Sequence, residues 1–103
     1  MASGKLAGAD LAAATNTTLY TVPSAKTASF SVNFCNRNAT SVTVRLAIGS
    51  SATPAATDWV LYDVVIAGNG SLERTGLVLD STKLAVVYAS AANVTATAYG
   101  YEE

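Results

Sequence analysis

Apolar and polar residues alternate along most of this chain, and the alternation restarts after each short polar interruption. A period of two marks a strand whose faces meet different surroundings. Residues 28–37 put Phe30, Val32 and Phe34 on one face and Ser29, Ser31, Asn33 and Cys35 on the other. Residues 41–48 repeat the pattern, with Val42, Val44, Leu46 and Ile48 inward and Thr43, Arg45 and Ala47 outward. The run 58–79 breaks at Ala67-Gly68-Asn69-Gly70 and then resumes, which predicts a long hairpin of strands 58–66 and 71–79. Residues 17–22 form a shorter strand, closed by Pro23. Residues 83–90 and 93–101 read as a final hairpin across Ala91-Ala92, in which Thr95, Thr97, Tyr99 and Tyr101 share a face. Such a face of Thr and Tyr packs a neighbour as readily as it meets water.

The expected fold is therefore all-β: a single-domain antiparallel β-sandwich of about seven strands, with turns every 8–12 residues and no helical period. Residues 1–16 differ. They are rich in Ala and Gly without a strand period, and Leu6 and Leu11, five apart, make a poor helical stripe. They read as a flexible N-terminal arm that orders on a partner, ahead of a sandwich domain over residues 17–103.

Half of the 103 residues are hydrophobic, but 20 of them are alanine, so the core must come from fewer large groups. Beyond those named above, the candidates include Leu19, Tyr20, Val22, Val60, Tyr62, Val64, Ile66, Leu72, Leu77, Leu79, Leu84, Val86 and Tyr88. Only 13% of residues are charged and the net charge is −1. Three Lys and three Arg lie scattered, without the basic stripe of a nucleic-acid binder. No apolar run reaches the ~18 residues of a membrane span, and residues 1–14 lack the apolar core of a secretory signal.

The inventory for chemistry is thin. Histidine is absent, which removes the commonest general base and transition-metal ligand. Asp58 and Asp63 fall on opposite faces by period. Asp63 and Glu73 could meet across the hairpin, with Arg45 and Arg74 at hand, and read as structural ion pairs. No calcium-loop spacing occurs, and Gly68-Asn69-Gly70 is too short for a phosphate loop. Cys35, the lone cysteine, precludes an intrachain disulfide and reads as a small buried hydrophobe. The Asn-X-Ser/Thr tripeptides at Asn16, Asn38, Asn69 and Asn93 read as coincidences at turns. Trp59, Tyr62, Tyr88, Tyr99 and Tyr101 could build a sugar platform, but with eight aromatics in all, packing is the simpler use. The expectation is a non-enzyme with no catalytic, cofactor or metal site, working by contact.

Five stretches together resemble a family of small structural proteins of tailed bacteriophages, especially those infecting cyanobacteria. They are MASGKLAGADL, LYTVPSAKTASFSVNFCNRN, VTVRLAI, WVLYDVVIAGNGSLERTGLVL and YGYEE. None is a catalytic signature. The resemblance implies a virion component, foremost a capsid cement or decoration protein on the outer surface of the shell, assembled in the host cytoplasm. Its implied partner is the major capsid protein, bound by a homo-oligomer (dimer or trimer), with no nucleic acid and no membrane. The candidate contact residues are Lys5, Leu6 and Leu11 on the arm, Trp59, and the face of Thr95, Thr97, Tyr99 and Tyr101. The alternative is a small tail or tail-fibre module that reads host-surface glycans or a receptor through loops such as residues 36–38.

Overall fold

The alternating pattern is realised as eight strands in a computed structural model that describes residues 3–103. They are β1 (Ser3–Leu11), β2 (Thr17–Thr21), β3 (Ala28–Asn36), β4 (Val42–Gly49), β5 (Trp59–Ile66), β6 (Ser71–Leu79), β7 (Leu84–Ala89) and β8 (Val94–Glu102). One sheet has the order β1-β8-β3-β6 and the other β2-β7-β4-β5, with every pairing antiparallel. The chain changes sheet at every connection except β4–β5. Eight strands wound in this way between two sheets form a jelly roll.

That winding corrects both expected hairpins. β5 and β6 lie in different sheets, and so do β7 and β8. Gly68-Asn69-Gly70 arches from one sheet to the other and packs tightly on the β3–β4 loop. A Cβ on Gly68 would stand 2.1 Å from the Ala39 carbonyl oxygen. The glycine thus permits a loop-on-loop approach rather than a hairpin turn. Alternation reports which face a residue takes; it does not report which strand lies alongside.

The expected arm is likewise corrected. Ser3–Leu11 is strand β1, paired with β8 from Ser3↔Tyr101 to Leu11↔Val94; residues 1 and 2 lie outside the described residues. A register shift between Lys5 and Ala7 leaves Leu6 without a partner in β8 and breaks the period-two pattern that would have marked the strand. Leu11 closes the strand in the core, 2% exposed.

The core lies between the sheets. Phe30, Val32 and Phe34 on β3 and Val42, Val44 and Leu46 on β4 are buried as their spacing predicts, while Ile48 is half-buried. Two strands depart from expectation. On β7 the core takes Ala85, Val87 and Ala89, so Leu84, Val86 and Tyr88 face outward. On β5 the interior residue is Ile66, while Val60 and Val64 are half-buried and Tyr62 is 56% exposed. Small residues on β8 receive large ones on β3: Ala98 faces Val32 and Ala96 faces Phe34. Gly100, opposite Phe30, allows the closest approach. Its φ of 154° and a Cβ position 2.2 Å from the Ser29 carbonyl oxygen leave no room for a side chain.

Candidate functional site

Three polar or aromatic clusters stand out, and they differ in how much of their chemistry is already used internally. The first is a hub at the end of the sandwich where β3 runs out. Asn36 is 1% exposed. Its amide nitrogen donates to the carbonyls of Thr40, Ile66 and Ala67 at 2.9, 3.2 and 3.1 Å. Its amide oxygen accepts from the Asn38 backbone N–H and side-chain amide. Asn38 also donates to the Ala92 carbonyl, while its oxygen accepts from Asn93. Backbone bonds from Asn36 to Gly70, Arg37 to Asn93 and Asn69 to Asn38 complete the tie. The buried Asn36 amide thus joins the β3–β4 and β5–β6 loops, and Asn38 and Arg37 tie the β7–β8 loop to them. Residues 36–38, a candidate glycan-reading loop by sequence, have the amides of Asn36 and Asn38 engaged inside the protein. Arg37 pairs with Asp10 of β1.

The second cluster lies on the outer face of β2-β7-β4-β5. Val44 faces Val64 and Leu46 faces Leu61, so Arg45 between them meets two residues, Tyr62 and Asp63. This is a β-bulge, and Asp63 adopts a φ of 53° within it. The bulge aims the Asp63 carboxylate at Arg45, whose Nε and Nη2 donate to it at 2.6 and 3.2 Å. Of the four charged residues expected to form ion pairs, Arg45 and Asp63 pair with each other, whereas Glu73 sits on the other sheet, opposite Asn33. The guanidinium lies 4.2 Å from the centre of the Tyr62 ring, 4.4 Å from that of Tyr88 and 5.9 Å from that of Trp59. Trp59 and Tyr62 meet edge to face at 5.2 Å. Hydrogen bonding to Asp63 holds the Arg45 guanidinium even further above its ordinary basic range. Val86 faces Ala47, and Ala47 faces Trp59. Val86 and Ala47 are buried, yet outside the main core.

The third cluster is a shallow groove of about 290 Å³ on the outer face of the opposite sheet, lined by Ser29, Phe30, Ser31, Gly76, Tyr99, Gly100 and Tyr101. Thr95, Thr97 and Tyr99 are half-buried and Tyr101 is 46% exposed. They share an outward face, as their spacing predicts. Their strand is central, between β1 and β3, so the face is a sheet surface and not an edge.

Of the remaining candidate contacts, Lys5 is exposed and lies over Gly8, Leu6 is half-buried against the core, and Leu11 is buried. Trp59 is half-buried in the Arg45 cluster. Cys35 is half-buried rather than buried, facing outward across from Thr95 and Ser71. No group of three or more metal-ligating side chains occurs among the described residues. No protein-family model matches this chain, and no curated protein does.

Sequence reading missed the Asn36 hub and the Arg45 stack. Asn-rich turns usually signal local backbone geometry, and nothing along the chain distinguishes an Asn that ties two loops together. The Arg45 stack depends on a bulge, which a period-two reading averages away.

Tyr20 adds a pH-sensitive contact. It is buried, packs edge to face on Phe30 at 5.5 Å and donates its hydroxyl to Glu102. Burial first, and then the Glu102 carboxylate, push the phenol well above its ordinary range. The unfolded chain releases this proton near pH ~10, while the folded chain retains it. The contribution is complete below that pH and is lost as pH rises toward the folded value. The melting temperature is expected to fall as pH passes ~10, and Tyr20→Phe should flatten the fall. Equal alkaline slopes for the two proteins would refute the assignment.

Proposed function

We propose that this protein is a non-enzymatic structural component of a tailed-phage virion: a capsid cement or decoration protein that binds the major capsid protein on the outer shell, as a dimer or trimer. The carrying observation is the β5 edge. There Tyr62 and Val65 are 56% and 64% exposed beside half-buried Trp59, on a strand whose geometry is held by the Arg45–Asp63 pair. A firm aromatic edge with its one strong charge neutralised suits burial against another protein. The low overall charge of the chain points the same way. Jelly rolls recur in viral capsid domains, a likeness of fold alone. A subunit that binds the assembled shell and not its separated parts stabilises the shell by mass action. On this reading Tyr62 and Val65 join Trp59 as contacts, and Leu11 is withdrawn from them.

The test adds purified protein to phage particles that lack it and counts bound copies. Binding in proportion to capsid subunits is expected for the natural sequence. A Tyr62→Ala/Val65→Asp double variant with an unchanged melting temperature should bind at least about tenfold more weakly, as loss of an interface anchor implies. Binding confined to the tail, or unaffected by the double variant, would overturn the proposal.

A further inference from the structure

We propose that the groove between Tyr99, Tyr101 and Gly76, on the outer face of the β1-β8-β3-β6 sheet, binds a neutral saccharide. The groove exists because of a bulge. Phe30 faces Leu77 and Val32 faces Arg74, so Ser31 stands against two β6 residues, Thr75 and Gly76, that fall outside the paired register. Gly76 takes a φ of 74°, and where its Cβ would stand there is no atom within 4 Å. Gly100 on the central strand adds no side chain to the floor.

The lining sets the ligand chemistry. It contains no charged side chain, two phenol rings and four hydroxyls, on Ser29, Ser31, Tyr99 and Tyr101, above strand backbone at Phe30 and Gly100. None of these hydroxyls makes a side-chain hydrogen bond to another described residue. The Asn36 hub and the Arg45 stack, by contrast, have used their polar groups internally. A pyranose ring presents C–H faces that lie on aromatic rings and a rim of hydroxyls that trade bonds with neutral donors and acceptors. An anion would find no cation in the lining, and a purely apolar ligand would bury four hydroxyls without partners. The volume, about 290 Å³, falls just below the ~300–1,000 Å³ of small-ligand sites, and the open mouth lets a longer glycan run past. The inference stands apart from the capsid reading, because a soluble sugar and the isolated chain are enough to test it.

The experiment titrates the full chain with maltotriose, cellotriose, chitotriose and lactose, and with sialyllactose as an anionic comparator, following backbone amide signals by NMR. At least one neutral sugar should shift the amides of Ser29, Ser31, Gly76, Tyr99 and Tyr101 in a saturable way. Tyr101→Ala should weaken that binding by about tenfold, and Ser31→Trp, which fills the groove, should abolish it. Both variants are outward-facing and should melt with the natural sequence; if one does not, the other decides. The proposal falls if no neutral sugar moves these signals, if only sialyllactose does, if the shifts centre on Trp59 and Tyr62, or if a folded Ser31→Trp binds unchanged.

Discussion

Deleting residues 1–16 is expected to cost this protein most of its stability, with the truncated chain either unfolded or aggregating at room temperature. The deletion removes the whole of β1, which covers one side of β8 from Val94 to Tyr101. It takes Leu11 out of the core, worth ~1.5–3 kcal/mol by burial alone. It also removes the bridge from Ala13 to Ala89 and the hydrogen bond from the Ala14 N–H to the Ala89 carbonyl. The backbone of β8, otherwise paired on both sides, becomes a long uncovered edge open to other chains. Against a typical total of ~5–15 kcal/mol, these losses together are decisive. A dispensable arm would give the opposite result. If the truncated protein stays soluble and melts with the full chain, the pairing of β1 with β8 contributes nothing to stability.

Asn36→Leu should be the most damaging single substitution at the loop end of the sandwich. Leucine is near in volume but offers no donor to the carbonyls of Thr40, Ile66 and Ala67, and no acceptor to Asn38. Each buried polar group left without a partner costs ~1–3 kcal/mol. With Asn36 only 1% exposed, water has little access to replace the lost bonds. A loss of ~3 kcal/mol or more is expected, which lowers the melting temperature by roughly 12 °C or more in a domain of this size. Asn33→Leu, half-buried on the outer face of the same strand, serves as the control and should shift it by much less. Equal shifts for the two variants would show that the Asn36 amide ties nothing together.

The legible part of the fold was its strands and most of their faces. The expected strands 28–37 and 41–48 are found as Ala28–Asn36 and Val42–Gly49 with the predicted sides inward, because a two-residue period maps directly onto burial when one face meets a core. The shared face of Thr95, Thr97, Tyr99 and Tyr101 was legible for the same reason. Three things were not. The partner of each strand was hidden, since Asp63 and Glu73 look like neighbours across a hairpin and yet stand on separate sheets. The phase of β7 was misread because Leu84, Val86 and Tyr88 outweigh Ala85, Val87 and Ala89 in size. The smaller set fills the core, while Val86 is buried outside it on the opposite face. The bulge at Leu6 disguised β1 altogether. Of the proposed surfaces, single aromatics were visible in the sequence, but the bulges at Tyr62–Asp63 and at Gly76 that shape both clusters were not.

The position of β8 also constrains how the molecule is made. This strand lies between β1 and β3, yet it leaves the ribosome after the other seven described strands. Until it arrives, β1 has no neighbour to pair with in its own sheet, and the two halves of that layer cannot close. Nascent β1 must therefore wait unpaired and β3 with only its β6 side made, a slow, late-closing order set by long-range pairing. Until then the facing edges of β1 and β3 are open to pairing with other copies, and insertion of β8 covers both.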